Sequence, residues 1–279
     1  MPELPEVECV GRGVERGCVG RRVTAVRRGE HDVVVNDAAA TPGLLVGDRV
    51  ARVVRHGKQL AILGERGEAA CVHLGMSGAL TVEPAGRPAR PHTHVTWICV
   101  GGIELRFRDP RRFGGVWAFT TEADLWARRW SKLGPDALVI GPATLGRRLA
   151  GRRTALKAAL LDQATLAGLG NIYVDELLYA ASLSPLRPAG SLSPGELRSL
   201  VRRMRTLLGG AIAAGGSTLR DYVDAAGARG GYQARHRVYG REGRRCRRRG
   251  CGRKIQRTVL AGRGTFTCPG CQALEPKME

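Results

Sequence analysis

Val7, Val10 and Val14 recur at helical spacing with charged residues between them, so residues 3–18 are predicted to form an amphipathic helix. From about residue 21 to 120 the period changes to that of strands. Ile103, Leu105 and Phe107 alternate with polar residues after the apolar run 97–100, and Gly101-Gly102 between the two is a hairpin signal. Residues 49–54, 59–63 and 71–74 are further strand candidates, and many short strands at even spacing point to a sandwich or barrel. Gly134-Pro135 and Gly141-Pro142 punctuate a linker over 133–143. Beyond it, Leu156 and Leu160 lie one turn apart on a helix that Gly168-Leu169-Gly170 breaks, and Asn171 is placed to cap a second helix running to about 181. Ser193-Pro194-Gly195-Glu196 opens a third. The Gly-rich stretch from Gly215 to Gly231 has little periodicity and reads as a mobile loop. The expected fold is α+β in two domains. A β-sandwich with a leading helix occupies 1–132. After the linker a helical domain spans 144–239 and runs into a cysteine hairpin at 240–279.

Composition narrows the partners. A chain of 279 residues is long enough for two cores. No apolar run approaches the ~18 residues of a membrane span, and the acidic start is no secretory signal. A cytoplasmic protein without a membrane partner is expected. The net charge of +20 calls for a polyanion. Only five of the 45 basic residues are lysines, which leaves 40 arginines. A GC-rich genome accounts for Arg in place of Lys, but not for the surplus of base over acid.

Four features carry chemistry. Met1-Pro2-Glu3-Leu4-Pro5-Glu6 reads either as a plain helix start or as a nucleophile. Removal of Met1 would expose the secondary amine of Pro2, which titrates near ~8 and can form a Schiff base. Glu3 and Glu6 lie within one helical turn of it and could carry protons. The second feature is Cys246-x4-Cys251 and Cys268-x2-Cys271, two thiol pairs suited to one structural Zn2+ in a closed site. A hairpin between the pairs, tipped by Gly262-Arg263-Gly264, would aim Arg263 at a phosphate. Third, the Gly168–Asn171 turn before a helix is an anion site of modest specificity. Fourth, His73-Leu74-Gly75-Met76-Ser77-Gly78 and Asp109-Pro110-Arg111-Arg112-Phe113-Gly114 set Met76, Arg111 and Phe113 on strand-end loops. There they serve either as core residues or as wedges that kink a duplex and fill the gap left by a flipped base.

Taken together these motifs resemble the formamidopyrimidine-DNA glycosylase family, nearly end to end. The likeness rests on Pro2–Glu8, Gly57-Lys58, His73–Gly78, Asp109–Gly114, Leu161–Gln163 with Gly168–Asp175, and the cysteine hairpin. It implies an N-terminal β-sandwich, a helix–two-turn–helix domain and a zinc hairpin. The implied activity is base excision from double-stranded DNA holding a damaged base or abasic site, with β,δ-elimination, by a monomer at the bacterial nucleoid, and without a redox or nucleotide cofactor. Pro2 would be the nucleophile, Glu3 the proton carrier and Glu6 its support. Lys58, Asn171 and Arg263 match phosphate ligands. Met76, Arg111 and Phe113 match void fillers, with Arg111 facing the orphan base. His73, Arg112, Lys157 and Arg220 complete the expected DNA contacts, and Lys58 also belongs to the catalytic set. The intact Asp-Pro-Arg-Arg-Phe-Gly loop favours oxidised purines over the oxidised pyrimidines of the endonuclease VIII branch. A zinc-containing lesion binder without catalysis is the rival from another class. The four-residue spacing of the first cysteine pair departs from the family's usual two, so either the knuckle is longer or the hairpin is distorted.

Overall fold

A computed structural model describes residues 2–31, 33–35 and 44–273. Met1, whose removal the sequence leads one to expect, lies outside them. The chain divides into two units, Met1–Lys132 with Ile212–Gln233, and Leu133–Ala211 with Ala234–Glu279.

The first unit opens with α1 (Leu4–Cys18), followed by β1 (Val23–Arg28), β2 (Val50–His56), β3 (Gln59–Gly64), β4 (Ala69–His73), β5 (Ala79–Pro84), β6 (Thr93–Cys99), β7 (Ile103–Arg108), β8 (Gly115–Phe119) and α2 (Glu122–Arg128). Two four-stranded antiparallel sheets form, in the orders β1-β6-β7-β5 and β2-β3-β4-β8. Their inner faces bury Leu80, Trp97, Leu105 and Phe107 from one sheet, and Leu60, Ile62, Val72 and Val116 from the other. The apolar stripe of α1, including Val7, Val10 and Val14, is buried in the same core. The alternation read in β7 holds, yet its polar face is buried too. Arg106 donates to Glu104 at 2.7 Å and Glu83 at 3.2 Å, and to the carbonyl oxygens of Arg87 and Pro88. Pairing and full hydrogen bonding are what make such burial tolerable.

The second unit holds α3 (Pro142–Leu149), α4 (Leu156–Leu161), α5 (Asn171–Ala181), most of α6 (Pro194–Ala213) and the hairpin of β9 (Gln256–Leu260) and β10 (Arg263–Thr267). Ser193 and Glu196 form the expected capping box, Glu196 N–H donating to Ser193 Oγ and Ser193 N–H to Glu196 Oε2. Three expectations need correction. Residues 133–143 are packed into this unit rather than free, with Ala137 N–H donating to Ala167 O and Arg205 to the carbonyls of Val139 and Ile140. Asn171 is the first residue of α5 and the cap is Gly170. The stretch 215–231 is irregular but hydrogen-bonded at several points, and it groups with the first unit. Gly231 N–H meets Ala214 O, Gly230 N–H meets Thr218 Oγ1, and Val82 N–H meets Ala225 O. Low periodicity marks the lack of a repeating element, not a lack of partners.

Candidate functional site

In the first unit, Pro2 is buried immediately before α1 and Glu3 is the N-cap. Glu3 and Glu6 complete a capping box, in which Glu3 N–H donates to Glu6 Oε2 at 2.9 Å and the Glu3 carboxylate accepts from the backbone of Glu6. The other oxygen of Glu6 accepts from Ser217 N–H at 2.7 Å. Gly216, at φ +80°, makes that approach possible, because a Cβ there would come within 2.9 Å of Glu6 Oε1. Tyr222 Oη donates to Gly215 O at 3.1 Å, and burial, joined by Cys9 and Glu6 nearby, pushes its pKa up, so it stays a donor at neutral pH. Both Glu6 oxygens therefore hold backbone, and Glu3, whose carboxylate takes one backbone N–H, directly follows Pro2 in the chain.

Lys58 sits in the two-residue turn between β2 and β3, where Gly57 takes φ +58°. Arg55 stiffens this turn by donating to Gly57 O at 2.9 Å while it ion-pairs with Glu8 of α1 at 2.8 Å. His73 ends β4. Burial first, then the charges of Arg129 and Lys58, lower its pKa to about 4, so the ring is neutral at pH 7 and its Nδ1 accepts from Gly75 N–H. A neutral imidazole brings no charge to a phosphate; it shapes the turn that carries Met76.

Met76 and Phe113 are 43% and 54% exposed, large apolar tips on a folded surface. The Arg111 guanidinium lies 4.5 Å over the Phe113 ring. The two loops touch through backbone, since a Cβ on Gly75 would lie 2.4 Å from Phe113 C and one on Gly114 would lie 2.4 Å from His73 O. Arg112 takes φ +53° and is exposed, as is Arg220.

The second unit gathers Lys157, Asn171, Asp175 and the hairpin. The turn falls at Ala261-Gly262, both at positive φ, so Arg263 is the exposed first residue of β10 rather than the tip. Lys157, expected at DNA, is 0% exposed. Its ammonium pairs with Asp175 at 2.7 Å and donates to Thr265 Oγ1 at 2.8 Å and Gly264 O at 3.1 Å. Asn171 Nδ2 donates to the same carbonyl at 2.9 Å. Burial raises the Asp175 pKa to about 6 against the pull of Lys157. Glu176, missed in the sequence, accepts from the backbone N–H groups of Arg237, Val238 and Tyr239 at 2.8–2.9 Å. An acid at the second turn of a helix carries no sequence mark of that role.

Cys246, Cys251, Cys268 and Cys271 converge, with all four Sγ atoms within 4.8 Å of one another. The separations of 3.4, 3.5 and 3.9 Å approach the edge of a zinc–thiolate tetrahedron, about 3.8 Å for bonds of about 2.3 Å. Tyr179 Oη lies 3.1 Å from Cys246 Sγ, and Arg248 N–H donates to that sulfur at 3.4 Å. The donor set fits one structural Zn2+. The wider spacing is absorbed by a longer knuckle, with Cys251 N–H bonded to Arg248 O and Gly250 at φ +78°, while β9 and β10 pair without a register shift.

Known proteins share this arrangement. The family model of the formamidopyrimidine-DNA glycosylase N-terminal domain matches residues 1–116, that of the H2TH domain 133–223, and that of the zinc finger found in FPG and IleRS 243–274. The formamidopyrimidine-DNA glycosylase of Cereibacter sphaeroides (strain ATCC 17025) is 44% identical over 283 residues, spanning 98% of this chain and 100% of that one. The crystal structure of the MutM (Fpg) protein of Thermus thermophilus superposes with TM-score 0.85 at 41% identity, over 99% of this chain and 100% of the other. MutM in complex with DNA containing carbocyclic 8-oxo-G gives TM-score 0.87 at 31% identity, over 98% and 100%.

Proposed function

The chain belongs to the formamidopyrimidine-DNA glycosylase family, and from that premise we propose how its residues divide the work. It is a DNA glycosylase of base-excision repair with abasic-site lyase activity, acting on duplex DNA. Its substrates are oxidised purines, the class named by the family and by the 8-oxo-G bound to its solved relative. Action on bacterial chromosomal DNA is the reading that the bacterial origin of its relatives supports, and no helix among the described residues is long and apolar enough to cross a membrane.

Pro2, freed of Met1, attacks C1′ of the damaged nucleoside through its amine lone pair. The glycosidic bond breaks, and the base departs with the bonding electrons and a proton; the amine then gives up its own proton and its lone pair opens the C1′–O4′ bond, with Glu3 delivering a proton to O4′. The resulting iminium acidifies C2′. Loss of that proton expels the 3′ phosphate, a second elimination expels the 5′ phosphate, and water releases Pro2. The observation that supports this reading is the capping box at the start of α1: both Glu6 oxygens hold backbone at Glu3 and Ser217, while Glu3, the residue that directly follows Pro2, takes one backbone N–H, from Glu6. Lys58 and Arg263 hold phosphates as cations, Arg112 and Arg220 add backbone charge, and Met76, Arg111 and Phe113 fill the void. Asn171 and Lys157 act through the Gly264 carbonyl, fixing the strand that displays Arg263. Bound zinc supplies the folding free energy of the hairpin and takes no part in the reaction. Borohydride should trap a covalent DNA adduct that maps to Pro2 by mass. An adduct on Lys58 with Pro2 unmodified would reassign the nucleophile.

A further inference from the structure

Asp109 is 0% exposed at the root of the Arg111–Phe113 loop, and both of its carboxylate oxygens are engaged. Oδ1 accepts from Ser77 Oγ at 2.6 Å and from Arg111 N–H at 3.3 Å, and Oδ2 accepts from Gly114 N–H at 2.7 Å. The backbone of the same residue is tied to the sandwich. Its N–H donates to His92 O at 3.0 Å, and its carbonyl lies 2.9 Å from His94 Nε2. Ser77 belongs to one loop, the turn after β4 that carries Met76. Arg111 and Gly114 belong to the other, after β7. One buried carboxylate therefore joins two loops whose tips point into solvent, and Arg112 N–H closes the turn on Asp109 O at 3.2 Å.

We propose that Asp109 is a positioning residue that makes the two loops a single wedge, so that Met76 and the Arg111–Phe113 pair enter the duplex in one fixed spacing, and that discrimination of the base opposite the lesion depends on it. The inference rests on the reading of these loops as void fillers. The physical reason is preorganisation. Separating stacked bases costs free energy, and loops that had to be ordered in the same event would add the entropy of fixing their backbone. A hydrogen-bonded carboxylate that orders them beforehand removes that addition, and it keeps the Arg111 donors at a constant distance from the base edge.

The experiment uses the full-length zinc-loaded enzyme and the variants Asp109→Asn, Ser77→Ala, Ser77→Thr, Arg111→Ala and Phe113→Ala. Excision of one lesion is timed opposite each of the four bases, and 2-aminopurine beside the lesion reports wedge insertion by its fluorescence. Asp109→Asn should compress the spread of opposite-base rates by about tenfold or more and suppress the fluorescence rise. Ser77→Ala should do the same more weakly, and Ser77→Thr, which keeps the hydroxyl, should restore both. Retention of the spread and the fluorescence rise in Asp109→Asn overturns the proposal. If that variant does not fold, retention of both in Ser77→Ala overturns it instead. Loss of the spread in Arg111→Ala and Phe113→Ala but not in Asp109→Asn defeats the positioning role alone. Retention in Asp109→Asn, Ser77→Ala, Arg111→Ala and Phe113→Ala alike defeats the void-filling reading beneath it.

Discussion

The start of α1 and the cysteine hairpin both display a working group, and they are held by opposite means. Around Pro2, the helix rests on a core filled by two sheets, with Leu4, Val7 and Val10 all 0% exposed. Hydrogen bonds from Glu3 and Ser217 to Glu6 need only aim the terminus. The hairpin has a small apolar cluster of Tyr179, Val238, Ile255 and Cys268, and Gln256 to Val259 of β9 are exposed. There a buried ion pair, the Glu176 carboxylate under three N–H groups, and four thiolates take the place of core. Where apolar burial is large, polar groups can be spent on orientation. Where it is small, charge and metal must supply the folding free energy themselves.

Removing the metal breaks the comparison most strongly. Structural zinc is worth on the order of 10 kcal/mol to a small domain, so chelation should strip hydrogen-exchange protection from residues 256–267 while β3 and β4 keep theirs, and DNA affinity should collapse. Active enzyme without zinc would contradict the role given to the four thiolates. At the other end, Glu3→Gln should slow base excision by about 10²–10⁴-fold with lesion binding retained, as measured by single-turnover kinetics and titration. An unchanged rate would move proton transfer elsewhere.

Lys157→Met sharpens the contrast from within the hairpin's support. It strands Asp175 as an uncompensated buried charge, and breaking such a pair costs about 3–5 kcal/mol. Loss of protection should again be confined to the second unit, and Lys157→Met with Asp175→Leu should recover most of it. Glu8→Gln, which breaks the half-buried pair with Arg55 in the first unit, should cost far less. Arg263→Ala is expected to leave the fold intact and to flatten the slope of log affinity against log salt by about one unit. An unchanged slope would place Arg263 away from phosphate.

The smallest effect is one that the two units share. Burial first, then neighbouring cations, lowers the pKa of both His73 and His236 to about 4. In the unfolded chain histidine titrates near ~6.5, so from about pH 6.5 down to 4 the unfolded state binds more protons and stability falls as pH falls. Above that window the two histidines contribute no slope. His73→Gln should shallow the acid limb of the melting curve for the first unit alone. An NMR titration of His73 centred near 6.5 would show that its ring is solvated.

Contiguous residues were enough to read α1, the Gly101-Gly102 hairpin, the Ser193–Glu196 cap and the four zinc thiols, because helical period, capping and ligand pairs are local or chemically singular. The functions proposed for Pro2, Glu3 and Arg263 were suggested by their chemistry but singled out by resemblance, and that of Lys58 came from resemblance alone, since a proline, an acid or a basic residue has many ordinary uses. Tertiary structure alone decided the fate of groups whose partners lie far along the chain. Lys157 was expected at DNA until Asp175 and Thr265 enclosed it, and Asn171 looked like a cap until it proved to be the first residue of α5, with its amide bonded to Gly264 O. Asp109 had no role of its own in the sequence until Ser77 reached it from another loop, and the Gly-rich stretch read as a mobile loop until Ser217 bonded to Glu6. The physical reason is the same in each case. The free energy of a polar or charged side chain is set by burial and by the partner that compensates it, and neither is a property of the residues beside it in sequence.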